Sequence, residues 1–224
     1  MNVLESLVEL DKQLLLFGNN FHSPFWDQVI FIFSGKFIWI PAALTLLYAI
    51  IRSERKNAVW ILLALVLTVV LSDQISHLIK HWVERPRPTH EPTLAGLVTV
   101  VHGYTGGRFG FVSSHACNGF AVALFTSLVF RRKLYTWTIF TWATLNALTR
   151  IYLGVHYPLD ILCGALLGIM CGAFVFYLLK RWKPQVVLNE NDPYIDKSVL
   201  LIAFVLVLSL GVMMIGHDYL LFLA

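Results

Sequence analysis

Long apolar runs cut by short polar and charged connections dominate this chain. A helix needs about 20 mainly apolar residues to cross the hydrocarbon layer. Six segments follow that pattern: 28–51, 58–79, 114–130, 134–151, 159–179 and 198–216. The third is short and holds Asn118 and Ser127; the fourth is rich in Thr and Trp. Residues 1–24 differ. Leu4, Leu7, Val8, Leu14 and Leu15 form a helical apolar stripe with Glu5, Asp11 and Lys12 off it, which predicts a helix lying along the membrane surface. Ser23-Pro24 breaks the chain before the first span. Residues 184–197, with Pro184, Asn189, Asn191 and Pro193, read as a polar connection rather than a second domain. The expected fold class is all-α: a polytopic membrane helix bundle of about six transmembrane helices plus an N-terminal interfacial helix, as one domain over 1–224.

Composition agrees. The chain is 58% hydrophobic and 13% charged, against about 25% charged in soluble domains. A net charge of +4 does not point to nucleic acid, because the basic residues sit beside apolar runs instead of along one solvated face. Glu5, Glu9 and Asp11 precede any apolar core, so the N-terminus does not read as a secretory signal. Cys117, Cys163 and Cys171 all fall in apolar segments, an odd number that argues for packing residues and against a disulfide framework.

Loop charge sets the orientation. Arg52, Arg55 and Lys56 follow the first span, Arg131, Arg132 and Lys133 the third, and Lys180, Arg181 and Lys183 the fifth. Alternation puts all three clusters on one face, which the positive-inside rule assigns to the cytoplasm. Lys80, Arg85, Arg87, Arg108 and Arg150 then lie on the outer face. They dilute the bias unless they have a function there.

They adjoin three chemically active strings, all at outer span ends: 80–88 (KHWVERPRP), Ser113-Ser114-His115, and 150–160 (RIYLGVHYPLD). Arg offers a planar fork to phosphate oxygens and Lys a compact point charge, so Lys80, Arg87 and Arg150 are candidate phosphate ligands. Taken singly, each also reads as an interface anchor or a solvated loop charge. Pro86 and Pro88 stiffen the loop and limit where Arg87 can point. Arg85 is expected outside the site, turned towards Glu84. Ser113 or Ser114 can cap the third span, whose first backbone N–H groups favour an anion. His115 in that first turn can protonate a leaving oxygen. His156 and Asp160 are four apart beside Pro158, a helix-start signal. A carboxylate on one imidazole nitrogen leaves the other with a free lone pair, and an acid at the membrane edge needs a partner. No zinc-type ligand set is present; His77 and His81 end the second span as a polar face. Metal-independent, cofactor-free chemistry is expected.

Together these strings resemble the type 2 phosphatidic acid phosphatase superfamily. Its signature is Lys, six residues, Arg-Pro; Pro-Ser-Gly-His; and Ser-Arg, five residues, His, three residues, Asp. Lys80 to Arg87-Pro88 matches the first part. Arg150, His156 and Asp160 match the third, with Thr149 in place of Ser. Ser113 and His115 match the second, where Val112 replaces Pro and Ser114 replaces Gly. The resemblance spans 80–160. It implies that His156 attacks phosphorus to form a phosphohistidine and that Asp160 orients it. His115 would serve the leaving oxygen, while Lys80, Arg87, Ser113, Ser114 and Arg150 stabilise the transferring group.

The family acts on phosphatidic acid, phosphatidylglycerol phosphate, polyprenyl diphosphates and lipid A phosphates. Small size, short loops and the outer-facing site look like bacterial members, so the expected location is the inner membrane with the site on its periplasmic or exterior side. Undecaprenyl diphosphate is the leading expected substrate, then a lipid A phosphate, then phosphatidylglycerol phosphate. The Gly-rich stretch 89–111, with His102 and Arg108, is a candidate lid or headgroup selector, or a plain connection. Lys36, deep in the first span, either snorkels or pairs with an acid such as Asp73. A transporter also uses Arg, His and Asp at membrane depth, but the paired midplane Gly/Pro breaks of inverted-repeat transporters are missing. Haloperoxidases share the signature but are soluble, and a non-catalytic lipid binder is opposed by the intact His115, His156 and Asp160.

Overall fold

A computed structural model describes residues 3–53, 57–184, 186, 193–216 and 219. These form α-helices and short 3-10 turns, with a single isolated β-bridge, Pro86–Phe109. The helices are α1 (Val3–Gly18), α2 (Pro24–Ser34), α3 (Ile40–Ser53), α4 (Ala58–Val83), α5 (Ser114–Phe130), α6 (Lys133–Tyr152), α7 (Pro158–Trp182) and α8 (Pro193–Gly216). The chain is an integral membrane protein. Ala58–Val83, Pro158–Trp182 and Tyr194–Gly216 are each long and apolar enough to cross a bilayer.

The expected set of spans needs correction at its start. The segment predicted as one span over 28–51 is two helices meeting at 66° across Gly35 and Lys36, and at most the bent pair counts as one crossing. The apolar run is continuous there, so hydropathy does not register the break. α5 has 17 residues, about 26 Å at 1.5 Å per residue, shorter than the hydrocarbon thickness. Arg55 and Lys56 lie outside the described residues.

Sequence explains where the helices stop. Glu84 takes a left-handed conformation (φ 51°) and Pro86 follows, so α4 ends just past Lys80. Ser113 caps α5, its hydroxyl accepting from the Ala116 N–H at 3.5 Å. Pro158 opens α7, and Asp160 in that first turn accepts from the Tyr157 N–H at 3.1 Å.

α5 and α7 meet without intervening side chains. A Cβ on Gly164, Gly168 or Gly172 would fall 2.5, 2.1 or 2.6 Å from the carbonyl oxygens of Ser113, Cys117 and Ala121 respectively. Glycines four apart place one bare stripe on α7, and helices with such stripes pack backbone to backbone. The seam ends at the Ser113 N–H, which donates to the Asp160 carbonyl at 2.9 Å. The second and third strings are thereby fixed against each other. α4 joins through Ser72, whose hydroxyl donates to Asn118 Oδ1 (2.6 Å), and Asp73, which accepts from Asn118 Nδ2 (3.0 Å).

At the opposite end, Arg132 pairs with Asp196 (2.6 Å), Arg52 lies over the Tyr194 ring and Lys183 over Trp60. Described members of all three basic clusters therefore sit at the end away from the active strings.

α1 carries exposed Leu7, Val8 and Leu14, as its stripe predicts, but Leu15 is buried. Asp11, expected on the polar side, is 2% exposed and accepts from the Leu159 N–H at 2.9 Å. The acid is an anchor rather than a solvated charge.

Candidate active site

The three strings converge at one end of the bundle. His156 sits in the turn between α6 and α7, where the Arg150 carbonyl accepts from the Val155 and His156 N–H groups at 3.1 and 3.3 Å. Gly154 makes this turn possible with φ +68°, and a Cβ there would strike Val98 at 2.4 Å. His156 is buried, with Nδ1 3.3 Å from Asp160 Oδ2. Burial first, then the charges of Arg87, Arg150 and Lys80, push its pKa well below the ordinary 6.5; a hydrogen bond to the Gly110 carbonyl opposes them. Burial thus favours the neutral imidazole. With Nδ1–H given to Asp160, Nε2 keeps its lone pair.

The cations enclose this ring. Lys80 is buried and donates to the Val112 carbonyl and, at 3.0 Å, to Ser114 Oγ. Ser76, one turn earlier on α4, shares a 2.8 Å hydroxyl contact with the same Ser114. The side chain that replaces the family glycine therefore helps fix the lysine. Arg87 donates from Nε to the Phe109 carbonyl (3.1 Å) and from Nη1 to the Val155 carbonyl (3.4 Å). Burial, then the neighbouring Arg150 charge, lowers the Arg87 pKa from its usual range. Cations that repel one another in this way gain most when an anion arrives.

Arg150 is 2% exposed. Its Nη1 donates to Ser34 Oγ, its Nη2 to the Tyr104 hydroxyl at 2.8 Å, and its Nε is buried with no partner. His115 is partly exposed and shares a cavity of ≈ 380 Å³ with Arg150, Ser34, Lys36 and Tyr104. Lys36 thus faces the site, whereas Asp73, its expected alternative partner, is engaged by Asn118. Among the described residues no three His, Cys, Asp or Glu side chains are grouped to hold a metal ion.

The model of the PAP2 superfamily matches residues 57–184, more than half the chain. The chain belongs to the PAP2 superfamily. It is 41% identical over 199 residues to the lipid A 4'-phosphatase of Bacteroides thetaiotaomicron, an alignment covering 88% of each chain. It is 36% identical over 185 residues to the lipid A 4'-phosphatase of Porphyromonas gingivalis, covering 80% of this chain and 78% of that one. The crystal structure of Aquifex aeolicus LpxE superposes with TM-score 0.56 and 26% identity, over 75% of this chain and 95% of that one. This PAP2 protein is a membrane lipid phosphatase.

Two features of this PAP2 site run against expectation. Arg85 does not face Glu84: its Nη1 donates to Asp160 Oδ1 at 3.0 Å and its Nη2 to Asp11 Oδ2 at 2.7 Å. The stretch 89–111 is neither a free lid nor a plain connection. Its last residues pair with the Arg85–Arg87 segment through Arg87 N–H to Arg108 O (3.1 Å) and Gly110 N–H to Arg85 O (2.9 Å). Gly106 and Gly110 make room for the site, since a Cβ would meet Arg87 Nη1 at 2.5 Å and Asp160 Oδ2 at 2.9 Å. His102 packs on Phe31, ring centroids 5.0 Å apart, and Arg108 lies exposed over Phe109. The only sequence signal for these roles was glycine density; Asp11, Ser34 and Ser76 had none.

Proposed function

We propose that this protein removes a phosphate from a lipid A-type glycolipid through a covalent histidine intermediate. The observation that carries the chemistry is the buried His156 held 3.3 Å from Asp160 among three cations. Nε2 of His156 attacks phosphorus, forming a P–N bond as the P–O bond to the sugar breaks. His115 gives the departing oxygen its proton, then takes one from the water that attacks phosphorus, cleaves the P–N bond and releases phosphate. His115 lies partly buried beside the cations Arg150, Lys36 and Arg87 and the His156 ring. A bound phosphate dianion supplies the negative charge that keeps its proton in place for the first step. Lys80, Arg87, Arg150, Ser113 and Ser114 stabilise the transferring phosphoryl group, the effect on which phosphoryl transfer chiefly depends.

The names of the two relatives alike over most of both chains favour a lipid A phosphate over undecaprenyl diphosphate, the substrate expected from sequence. An apolar groove of ≈ 660 Å³ supports a lipid substrate. It is lined by residues including Leu14, Phe17, Trp26, Ile30, Tyr152 and Pro158, the last two being the helix ends that flank the turn with His156. The site faces the periplasm, with the Arg52, Arg132 and Lys183 end in the cytoplasm, and α1 lies along the outer surface.

The test is phosphate release by purified protein from lipid A, undecaprenyl diphosphate and phosphatidylglycerol phosphate, with and without chelator. Lipid A should be hydrolysed fastest and chelator should have no effect. His156→Ala should show no turnover, and the wild type, quenched during turnover, should yield acid-labile, alkali-stable phosphohistidine. Substantial activity in His156→Ala at equal expression refutes the mechanism; preference for another lipid refutes the substrate.

A further inference from the structure

Arg85 meets the carboxylate oxygen of Asp160 that His156 does not. Its backbone carbonyl accepts from the Gly110 N–H. Arg85 and Arg87, two apart on this stretch, take different partners: Arg85 two carboxylates, Arg87 two backbone carbonyls. Arg87 reaches carbonyls beside His156, while Arg85 forks between two carboxylates. One arm meets Asp160 Oδ1 at 3.0 Å and the other Asp11 Oδ2 at 2.7 Å. The guanidinium lies 3.9 Å from the centre of the Tyr157 ring, which fixes its plane. Asp160 is 0% exposed and Asp11 2%. Oδ2 of Asp160 serves His156 and the Tyr157 N–H, so Oδ1 belongs to Arg85. Oδ1 of Asp11 takes the Leu159 N–H, so Asp11 is seated on α7 as firmly as on Arg85.

We propose that Arg85 is a positioning residue that orients Asp160 towards His156, and that Asp11 holds Arg85 in place, so that the N-terminal helix completes the active site. This rests on the reading that Asp160 orients a nucleophilic His156. Two carboxylates divide one guanidinium, and planar two-armed pairing fixes direction as well as distance. The other charged or titratable groups facing Asp160 are Lys80 and Arg87 from the pocket side, His156 from the turn and Cys163 from the next turn of α7. None of these holds Oδ1. Without Arg85, Oδ1 of the carboxylate loses its one side-chain partner, and Asp160 loses a cation that favours its ionised form.

A bolt that only fastens α1 to the bundle predicts loss of stability and nothing else. The positioning role predicts opposite electrostatic effects at its two ends, measured as kcat, KM and the acid limb of kcat/KM on one lipid substrate. Arg85→Gln should lower kcat at least tenfold with KM within threefold, and move the acid limb to higher pH. Arg85→Lys should recover part of kcat and return the limb towards wild type, because charge is restored without the fork. Asp11→Asn should move the limb to lower pH, since Arg85 then serves Asp160 alone, while kcat falls by less than in Arg85→Gln. If Arg85→Gln yields no folded protein, the Arg85→Lys and Asp11→Asn limbs decide. Unshifted limbs in every folded variant, or limbs moved the same way by Arg85→Gln and Asp11→Asn, overturn the proposal. His156→Ala separates the two levels: if it is inactive while Arg85→Gln behaves as wild type, the positioning role fails alone. If His156→Ala turns over, the histidine reading fails first.

Discussion

Arg150 on α6 and Tyr104 in the 89–111 stretch share a 2.8 Å hydrogen bond from Nη2 to the phenol oxygen. A buried guanidinium arm that loses its acceptor costs about 1–3 kcal/mol. Tyr104→Phe keeps the ring and removes only the acceptor. We expect kcat/KM to fall about tenfold and the unfolding temperature to drop by a few degrees. Wild-type kinetics in that variant would show that the stretch is not tied to the phosphate site through this contact.

The α5–α7 seam predicts a position-specific cost for a single methyl group. Gly168→Ala brings a Cβ to 2.1 Å from the Cys117 carbonyl, and backbone must move to admit it. Overpacking of this kind costs about 1–3 kcal/mol. Thermal unfolding in detergent should show Gly168→Ala clearly destabilised and its activity reduced. Gly211→Ala on α8, where a Cβ meets nothing within 4 Å, should unfold like the wild type. Equal behaviour of the two would remove the seam from the account.

His156 also gives stability a pH dependence whose sign follows from its environment. Its folded-state pKa lies well below the ordinary 6.5, through burial and then Arg87, Arg150 and Lys80. Above pH 6.5 neither state is protonated at this ring, and nothing is lost. As pH falls below 6.5 the unfolded chain takes a proton that the folded chain refuses, and stability drops by up to about 1.4 kcal/mol per pH unit. Unfolding curves between pH 7.5 and 5 should show the decline, and His156→Gln should make it shallower. An equal decline in that variant would assign the effect elsewhere.

Lys36 shares the cavity with His115 and Arg150. Lys36→Met should raise KM for the lipid substrate about two- to fivefold, the scale of one exposed charge pair, and leave kcat near wild type. High salt should erase the difference between the two proteins. A collapse of kcat would instead place Lys36 in the chemistry.

The chemical strings were legible because each is short and keeps its spacing on one helix end. His156 and Asp160 lie on one turn, and Lys80 and Arg87 flank a loop stiffened by Pro86. What the sequence hid depends on distant segments. Arg85 was misplaced because its partners, Asp11 and Asp160, are 74 and 75 residues away. Asp11 reads as solvated on an amphipathic helix until α7 offers it the Leu159 N–H. The break at Gly35 lies within a run apolar enough for one span, and only the 66° turn of the backbone reveals it. The glycines at 164, 168 and 172 were visible as spacing, but their meaning needed α5 opposite them.

A seam made of backbone and bare glycine leaves nothing to rearrange. The gap between the first turn of α5 and the first turn of α7 works as a fixed gauge, whatever lipid the site takes. Any retuning towards a different headgroup must then be written in the parts this gauge does not clamp: the kinked entry at Lys36, the tethered stretch around Tyr104, and the surface helix bolted on through Asp11.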